Sequence, residues 1–230
     1  MPGFGKGTDH FGLASASLVL IDSSSTPPGV SVEHAQDQDG NIAGQGDYES
    51  GPATAIECKY RLISSTLNIN TIKLGYFLVG TGPGVKTVRT GLDVATSNGE
   101  WPEITVSGFS GVTNETEFPF FTPDSITLAA KKQAQGLDFS VHADCRLTSS
   151  NYKISGDLAH TLDDDGDVAA MAFTGCTAEI SGDAVEVDGI VAWTPGGTWT
   201  ETQAPGAANS NIGWGTSSFS ATKFVAKDEA

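Results

Sequence analysis

Positive charge is scarce in this chain: twelve lysines and arginines stand against 28 aspartates and glutamates, a formal net charge of -16 over 230 residues. A nucleic-acid backbone is gripped by clustered cations, so this balance disfavours a DNA or RNA binder, although contact without binding stays open. Cysteine is scarcer still. Cys58, Cys145 and Cys176 are odd in number, widely spaced and without a CxxC pair, which indicates neither a disulfide framework nor a zinc knuckle. They read as small core residues of a protein kept in a reducing compartment. No run approaches the roughly 18 apolar residues of a membrane span. The opening MPGFGKGTDHFGL has one lysine and no apolar stretch, unlike a signal peptide. The expectation is a soluble protein, made in the cytoplasm, with no membrane partner.

Long charged side chains are also few. Charged residues make up 17% and hydrophobic ones 38%, with 28 glycines, a mixture that suits a β-rich surface better than a helical one. The length allows one large β-domain or two of about 110 residues.

A weak internal repeat favours two. HAQDQDGNIAG, from His34 to Gly44, matches HTLDDDGDVAA, from His160 to Ala170, at a constant offset of 126. His34, Asp37, Asp39, Gly40 and Ala43 recur as His160, Asp163, Asp165, Gly166 and Ala169. Upstream the offset carries Ser23 and Ser24 onto Ser149 and Ser150. Downstream a four-residue deletion aligns Ala53, Thr54 and Glu57 with Gly175, Cys176 and Glu179. Self-similarity of this kind marks duplicated units, although two unrelated hairpins with similar turns would also produce it.

Each copy reads as a hairpin. Alternating apolar residues approach Asp39-Gly40 or Asp165-Gly166, then resume at Ile42 or Val168, and Asp-Gly suits the positive φ of a tight turn. Further strands are expected over 56–62, 71–79, 86–94, 104–108, 139–147, 178–180, 185–191, 199–202 and 218–225. Many short strands with glycine, proline and asparagine between them point to sandwiches or barrels. One short helix is expected after Thr122 as cap and Pro123 as first residue, running through Ala129 to Ala134 and closing at Gly136. The fold class is thus all-β, with tandem antiparallel sandwich or barrel-like halves, 1–120 and 121–230, and that helix between them. Phe118, Phe120 and Phe121 are expected to pack the seam.

Catalytic and metal chemistry is hard to place. Asp37, Asp39, Asn41 and Asp163, Asp165, Asp167 have the opening spacing of a calcium loop. The twelve-residue pattern then needs glycine at its sixth position and glutamate at its twelfth, where Ile42 and Tyr48, or Val168 and Thr174, stand. His10, His34, His142 and His160 form no HxH or HExxH arrangement, and GxSxG, P-loop and post-strand GxGxxG motifs are missing. The expectation is no catalytic, cofactor or metal residues and no enzymatic activity. One charge feature remains: from Ile154 to Thr222 there are ten acids and no lysine or arginine. It reads either as a solvated face or as an anionic wall that DNA could pass without sticking.

Three short stretches, the Asp-Gly hairpin followed by Ile-Ala or Val-Ala, TSNGEWPEITVSG at 96–108 and QAPG at 203–206, together with the order of elements, resemble the tail tube proteins of long-tailed bacteriophages. The resemblance implies a structural subunit of the virion tail that self-associates into rings stacked as a DNA-conducting tube, in contact with other tail proteins and without catalytic residues. Single-domain members look to form six-subunit rings, and a duplicated one would close the ring with three chains. Two other classes stay open. A capsid decoration or head-tail completion protein would share the composition. A carbohydrate-binding or hydrolytic β-domain would draw on Trp101, Trp193, Trp199 and Trp214 with Asp188 and Glu201.

Overall fold

A computed structural model describes residues 7–36, 39, 42–49, 53–75, 77–79, 86–112, 118–141, 145–164, 168–187, 193–195, 198–203 and 214–228. The described residues are almost wholly β. In chain order the strands are β1 (Leu18–Thr26), β2 (Val30–Gln36), β3 (Ile42–Glu49), β4 (Thr54–Leu62), β5 (Thr66–Asn68), β6 (Phe77–Val79), β7 (Lys86–Ser97) and β8 (Glu103–Val112). They continue as β9 (Thr127–Ala129), β10 (Phe139–Val141), β11 (Arg146–Leu162), β12 (Val168–Val187), β13 (Trp193–Pro195), β14 (Thr200–Gln203) and β15 (Trp214–Val225). One antiparallel sheet dominates, in the order β1-β4-β8-β7-β11-β12-β15-β14, with β6 added beside β7. It runs without a break across residue 120, because β7 pairs with β11 from Gly91↔Ser155 to Ser97↔Ser149.

The period-two alternation of these strands assigns the two faces of the sheet. On one face Ile56, Cys58, Tyr60 and Leu62 of β4, Ile104 and Val106 of β8, Leu92 and Val94 of β7, Tyr152 and Ile154 of β11, Ala178 and Ile180 of β12, and Phe219 and Ala221 of β15 are buried. They form one core with Phe11, Ile69, Ile72, Leu74, Phe121, Ile126, Leu128 and Leu137, residues of the segments that cover this face. The other face carries the polar alternates.

The strand order repeats. Taken as first to fourth in the chain, β1, β4, β7, β8 and β11, β12, β14, β15 both lie in the sheet as first, second, fourth, third. Hairpin register repeats as well. Six successive pairs, from Ser31↔Tyr48 to Gln36↔Ile42, recur at an offset of 126 as Asp157↔Thr174 to Leu162↔Val168. Even the bulge recurs, between Ala35 and Gln36 and between Thr161 and Leu162. The turn residues Gly40, Asp165 and Gly166 lie outside the described residues. The four-residue deletion placed downstream is not what the pairing supports. Ser23 faces Cys58, and its counterpart Ser149 faces Asp183, one residue short of a constant offset. Both copies carry a bulge beside these pairs, at Leu20/Asp22 and Leu147/Ser149, and the single step falls between them and the hairpin, where the second copy is irregular at Gly156/Asp157.

The expected helix does not form. Thr127–Ala129 is strand β9, paired with β5, and Ile126, Leu128 and Leu137 are buried. Alanine propensity over 129–134 is overridden by backbone bonds already on offer, as Ala130 N donates to Ser65 O at 3.0 Å. Gln135 completes the arrangement. Its side-chain Oε1 accepts from Ala129 N at 2.8 Å and its Nε2 donates to Ala129 O at 2.9 Å, standing in for a neighbouring strand. The strand expected over 71–79 is likewise mostly absent, since a 3-10 turn spans Ile69–Thr71 and β6 begins only at Phe77. The strands expected at 178–180 and 185–191 are one continuous β12 to Val187. Gly182 stays extended there because Phe219 and Ser149 O fill the place its Cβ would take.

Two of the three aromatics expected at a seam join the core. Phe118 and Phe121 are buried, and Phe121 meets Phe173 of β12 edge-on at 5.5 Å while its backbone bridges to Leu74. Lys73 sits over the Phe120 ring at 4.5 Å.

The chain before β1 is pinned to the same face through Asp9. Its carboxylate accepts from Tyr60 Oη at 2.6 Å and from Ala14 N at 2.8 Å. Burial alone would raise the Asp9 pKa, but the Tyr60 hydroxyl and the backbone donors outweigh it and hold it below the usual value. A depressed carboxylate stabilises the fold fully above its unfolded value, and that contribution disappears as pH falls through the folded one. Asp9→Asn should therefore lose about 1 kcal/mol at pH 7, because the Tyr60 hydroxyl then donates to a weaker acceptor, and should lose less than wild type between pH 5 and pH 2. Urea titrations across that range check both parts.

Candidate functional site

On the face of the large sheet turned away from the core, several strands present polar groups in register among the described residues. On β11, Ser149, Asn151, Lys153 and Ser155 alternate with the buried residues. On β12 the alternates are Thr177, Glu179, Ser181 and Asp183, and on β15 they are Thr216, Ser218, Ser220 and Thr222. Small hydroxyl side chains on neighbouring strands leave room above the sheet. The result is a cleft of about 700 Å³, floored by β7, β11, β12 and β15 and walled by Glu100, Trp101 and Glu103.

Two of its acids are tied down. Asp183 accepts from Ser149 Oγ at 2.8 Å and from Ser218 Oγ at 2.5 Å, and these hydroxyls, Ser218 first, hold its pKa below the ordinary carboxylate value against a small desolvation. Glu103 is partly desolvated, which would raise its pKa, but Lys59 at 2.6 Å and Arg61 at 2.5 Å prevail and lower it. Asn151 donates to Asp93 at 2.6 Å. A glycosidase acid needs a carboxyl with a raised pKa. Asp183 and Glu103 are shifted the opposite way, so these two serve as ionised acceptors rather than as poised proton donors.

The tryptophans expected to supply a sugar site are dispersed. Trp199 is buried, its Nε1 donates to Asp138 Oδ2 at 2.7 Å, Lys223 covers its ring at 4.4 Å, and Tyr152 packs against it edge-on. Trp101 stands at the cleft wall with Lys132 5.6 Å from its ring. Trp193 and Trp214 begin β13 and β15, Glu201 is exposed on β14, and Asp188 lies outside the described residues.

The thiols are free, two of them buried. Burial pushes Cys58 up, and burial with the nearby Asp157 charge pushes Cys176 up to about 12, so neither is a ready nucleophile. Among the described residues no cluster of three histidine, cysteine or acidic groups could hold a metal ion, and no helix is long and apolar enough to cross a membrane. Of the six residues with calcium-loop spacing, Asp39 lies in a turn and Asp163 beside one, and the other four are outside the described residues.

No protein-family model and no curated protein matches this chain.

The described members of the basic-free run are all exposed where their side chains are placed: Asp157, Asp163, Asp164, Glu179, Asp183 and Glu201. Glu179 and Asp183 share the cleft. Sequence reading missed the serine cradle around Asp183, because its members come from three strands. Its trace in the sequence is the polar residue at every second position of 149–155, 177–183 and 216–222, the last run carrying a hydroxyl at all four.

Proposed function

We propose that the chain is a structural, non-enzymatic subunit of a phage tail tube, built from two tube-type β-halves divided near residue 120, which assembles into stacked rings around a DNA-conducting channel. The observation that carries this reading is the large sheet. It is one continuous eight-strand ribbon, covered by core on one face and left uncovered, polar and acid-bearing on the other. A long sheet with a bare hydroxyl and carboxylate face suits the wall of a passage for a polyanion, which it offers acceptors and few cations. The tied-down acids of the cleft fit a surface whose charge stays negative at neutral pH better than they fit a catalyst. In this reading Glu179 and Asp183 face the channel, the partners are further copies and other tail proteins, and the place of action is the virion tail.

Negative-stain electron microscopy of the purified protein tests the class: tubes of regular diameter are expected, and a monodisperse compact oligomer at every concentration would favour a decoration or completion protein instead. The charge argument has its own test. Glu179→Lys/Asp183→Lys changes the chain by four charge units on an exposed face, where Glu179 should cost only about 0.5 kcal/mol and Asp183, which loses its two serine hydrogen bonds, about 1 kcal/mol more. Fluorescence anisotropy should show no DNA binding by wild type at physiological salt, and binding by the variant that weakens steeply as salt rises. Wild-type binding under those conditions would remove the channel reading.

A further inference from the structure

We infer that Lys223 and Asp124 are the reactants of a self-catalysed isopeptide bond, with Asp138 as its proton carrier, which ties the last strand of the sheet to the segment before β9. This goes beyond the tube reading and does not depend on it.

The three side chains come from separate stretches of chain. Lys223 Nζ, on β15, lies 2.5 Å from Asp124 Oδ1 and 3.9 Å from Asp138 Oδ2. The Asp124 carboxyl carbon stands one C–O bond beyond that contact, about 3 to 3.5 Å from the nitrogen, which is the range of a near-attack geometry. The surroundings shut out water. Lys223 and Asp124 are only 14% and 24% exposed, the buried Trp199 ring covers Nζ at 4.4 Å, and the buried Tyr152 meets that ring edge-on.

A salt bridge with no further role needs one carboxylate, satisfied at both oxygens. Here Asp124 Oδ2 is buried with no hydrogen-bond partner among the described residues, while a second carboxylate is brought towards the same nitrogen. Asp138 reaches it from a φ of +62°, a left-handed conformation that residues other than glycine, asparagine and aspartate rarely adopt. Trp199 Nε1 then fixes its Oδ2 by donating to it at 2.7 Å. An amine, a carboxyl carbon and a second carboxylate in one water-poor pocket are the parts that amide formation requires.

The step balances without an oxidant or co-reactant. A proton crosses from the Lys223 ammonium to the Asp124 carboxylate, giving an amine and a carboxylic acid. The nitrogen lone pair then forms a bond to Asp124 Cγ. Asp138 takes a proton from the nitrogen and returns it to the departing hydroxyl, the Cγ–O bond breaks, and one water leaves. At 3.9 Å the Asp138 approach is longer than a hydrogen bond, as catalytic contacts commonly are before the reacting groups close up. The ion pair is the reactant state, so Lys223 acts as a salt-bridge partner until the bond forms. The product joins positions 99 residues apart in a chain whose cysteines are free.

Mass spectrometry of the full chain, unfolded after prolonged incubation at neutral pH, tests this. Wild type should be lighter by one water, about 18 Da, and proteolysis should release a branched peptide carrying both Lys223 and Asp124. Lys223→Arg keeps a cation and should show its full mass. Asp138→Asn should slow bond formation at least tenfold while its far-ultraviolet spectrum stays that of wild type. Asp124→Asn should reach the same final mass as wild type by losing ammonia, a result that dehydration elsewhere could not imitate. Natively folded wild type that retains its full mass would overturn the bond. So would a water loss that persists in Lys223→Arg, because it would mark cyclisation of an aspartate onto its own backbone. Reaction of Asp138→Asn at the wild-type rate would overturn the assignment of the proton carrier.

Discussion

Gly108→Ala should lower the unfolding free energy by about 3 kcal/mol, the upper end of the usual overpacking cost, from the addition of one methyl group. Gly108 lies in the middle of β8, opposite Arg89 of β7 and Ile56 of β4. A Cβ there would fall 2.0 Å from Val88 O and 3.0 Å from Arg89 Cα. These are backbone atoms of the neighbouring strand, so no rotamer change can make room. The ladder itself would have to open where β7 is already irregular, between Arg89 and Gly91. The same two strands carry Val88, Leu92, Ile104 and Val106 in the core, and Arg89 is buried with its Nη2 donating to Phe11 O at 3.2 Å. A separation of β7 from β8 would therefore loosen the core and the pinned N-terminal segment together. Gly99→Ala provides the comparison. Its φ is +92° but nothing lies within 4 Å of the added carbon, so only the conformational cost of about 1 kcal/mol applies. Urea midpoints of the two variants, with unchanged slopes, should separate the steric cost from the conformational one.

What the sequence discloses about this fold follows how local the cause is. The Asp-Gly hairpins are local events, and both appear as β2–β3 and β11–β12 with a shared register. β4, β7, β8, β14 and β15 also stand close to where alternation and turn residues place them. The helix expected before Gly136 fails for a non-local reason. Its alanines have the right propensity, but Ser65, from a segment some 65 residues earlier, supplies the backbone partner that decides the conformation. β12 shows the same dependence. Gly182 reads as a break until Phe219 of β15 and Ser149 of β11 are seen to fill the space above it. The polar face was half legible. Its polar alternation is written in β11, β12 and β15, but the cleft exists only because β7, β11, β12 and β15 lie side by side, and adjacency is a property of topology rather than of any window of sequence.

Lys223→Met should cost about 2 to 3 kcal/mol, although it retains most of the side chain's bulk. Lys223 projects from β15, and its Nζ lies 2.5 Å from Asp124 Oδ1 and 3.9 Å from Asp138 Oδ2. The Lys223 and Asp124 side chains are only 14% and 24% exposed, so water screens the pair poorly. Asp124 Oδ2 is buried with no hydrogen-bond partner, which leaves the carboxylate dependent on this one cation. Removing the ammonium strands that charge in a shielded site, and the cost of an orphaned ion usually exceeds what the intact pair contributes. The loss would spread through neighbours. The Trp199 ring loses the cation above it, Asp138 keeps only the indole N–H among these partners, and Asp124 N, which donates to Tyr152 Oη at 3.2 Å, is held less firmly. Those residues join the segment before β10 to β11, β14 and β15, so the damage should appear as early melting of the second half. Adding Asp124→Asn to Lys223→Met removes the stranded charge and should recover about 1 to 2 kcal/mol. A double-mutant cycle read by urea unfolding gives that coupling directly, and additivity of the two substitutions would mean that the pair is solvated and contributes no more than an ordinary surface bridge.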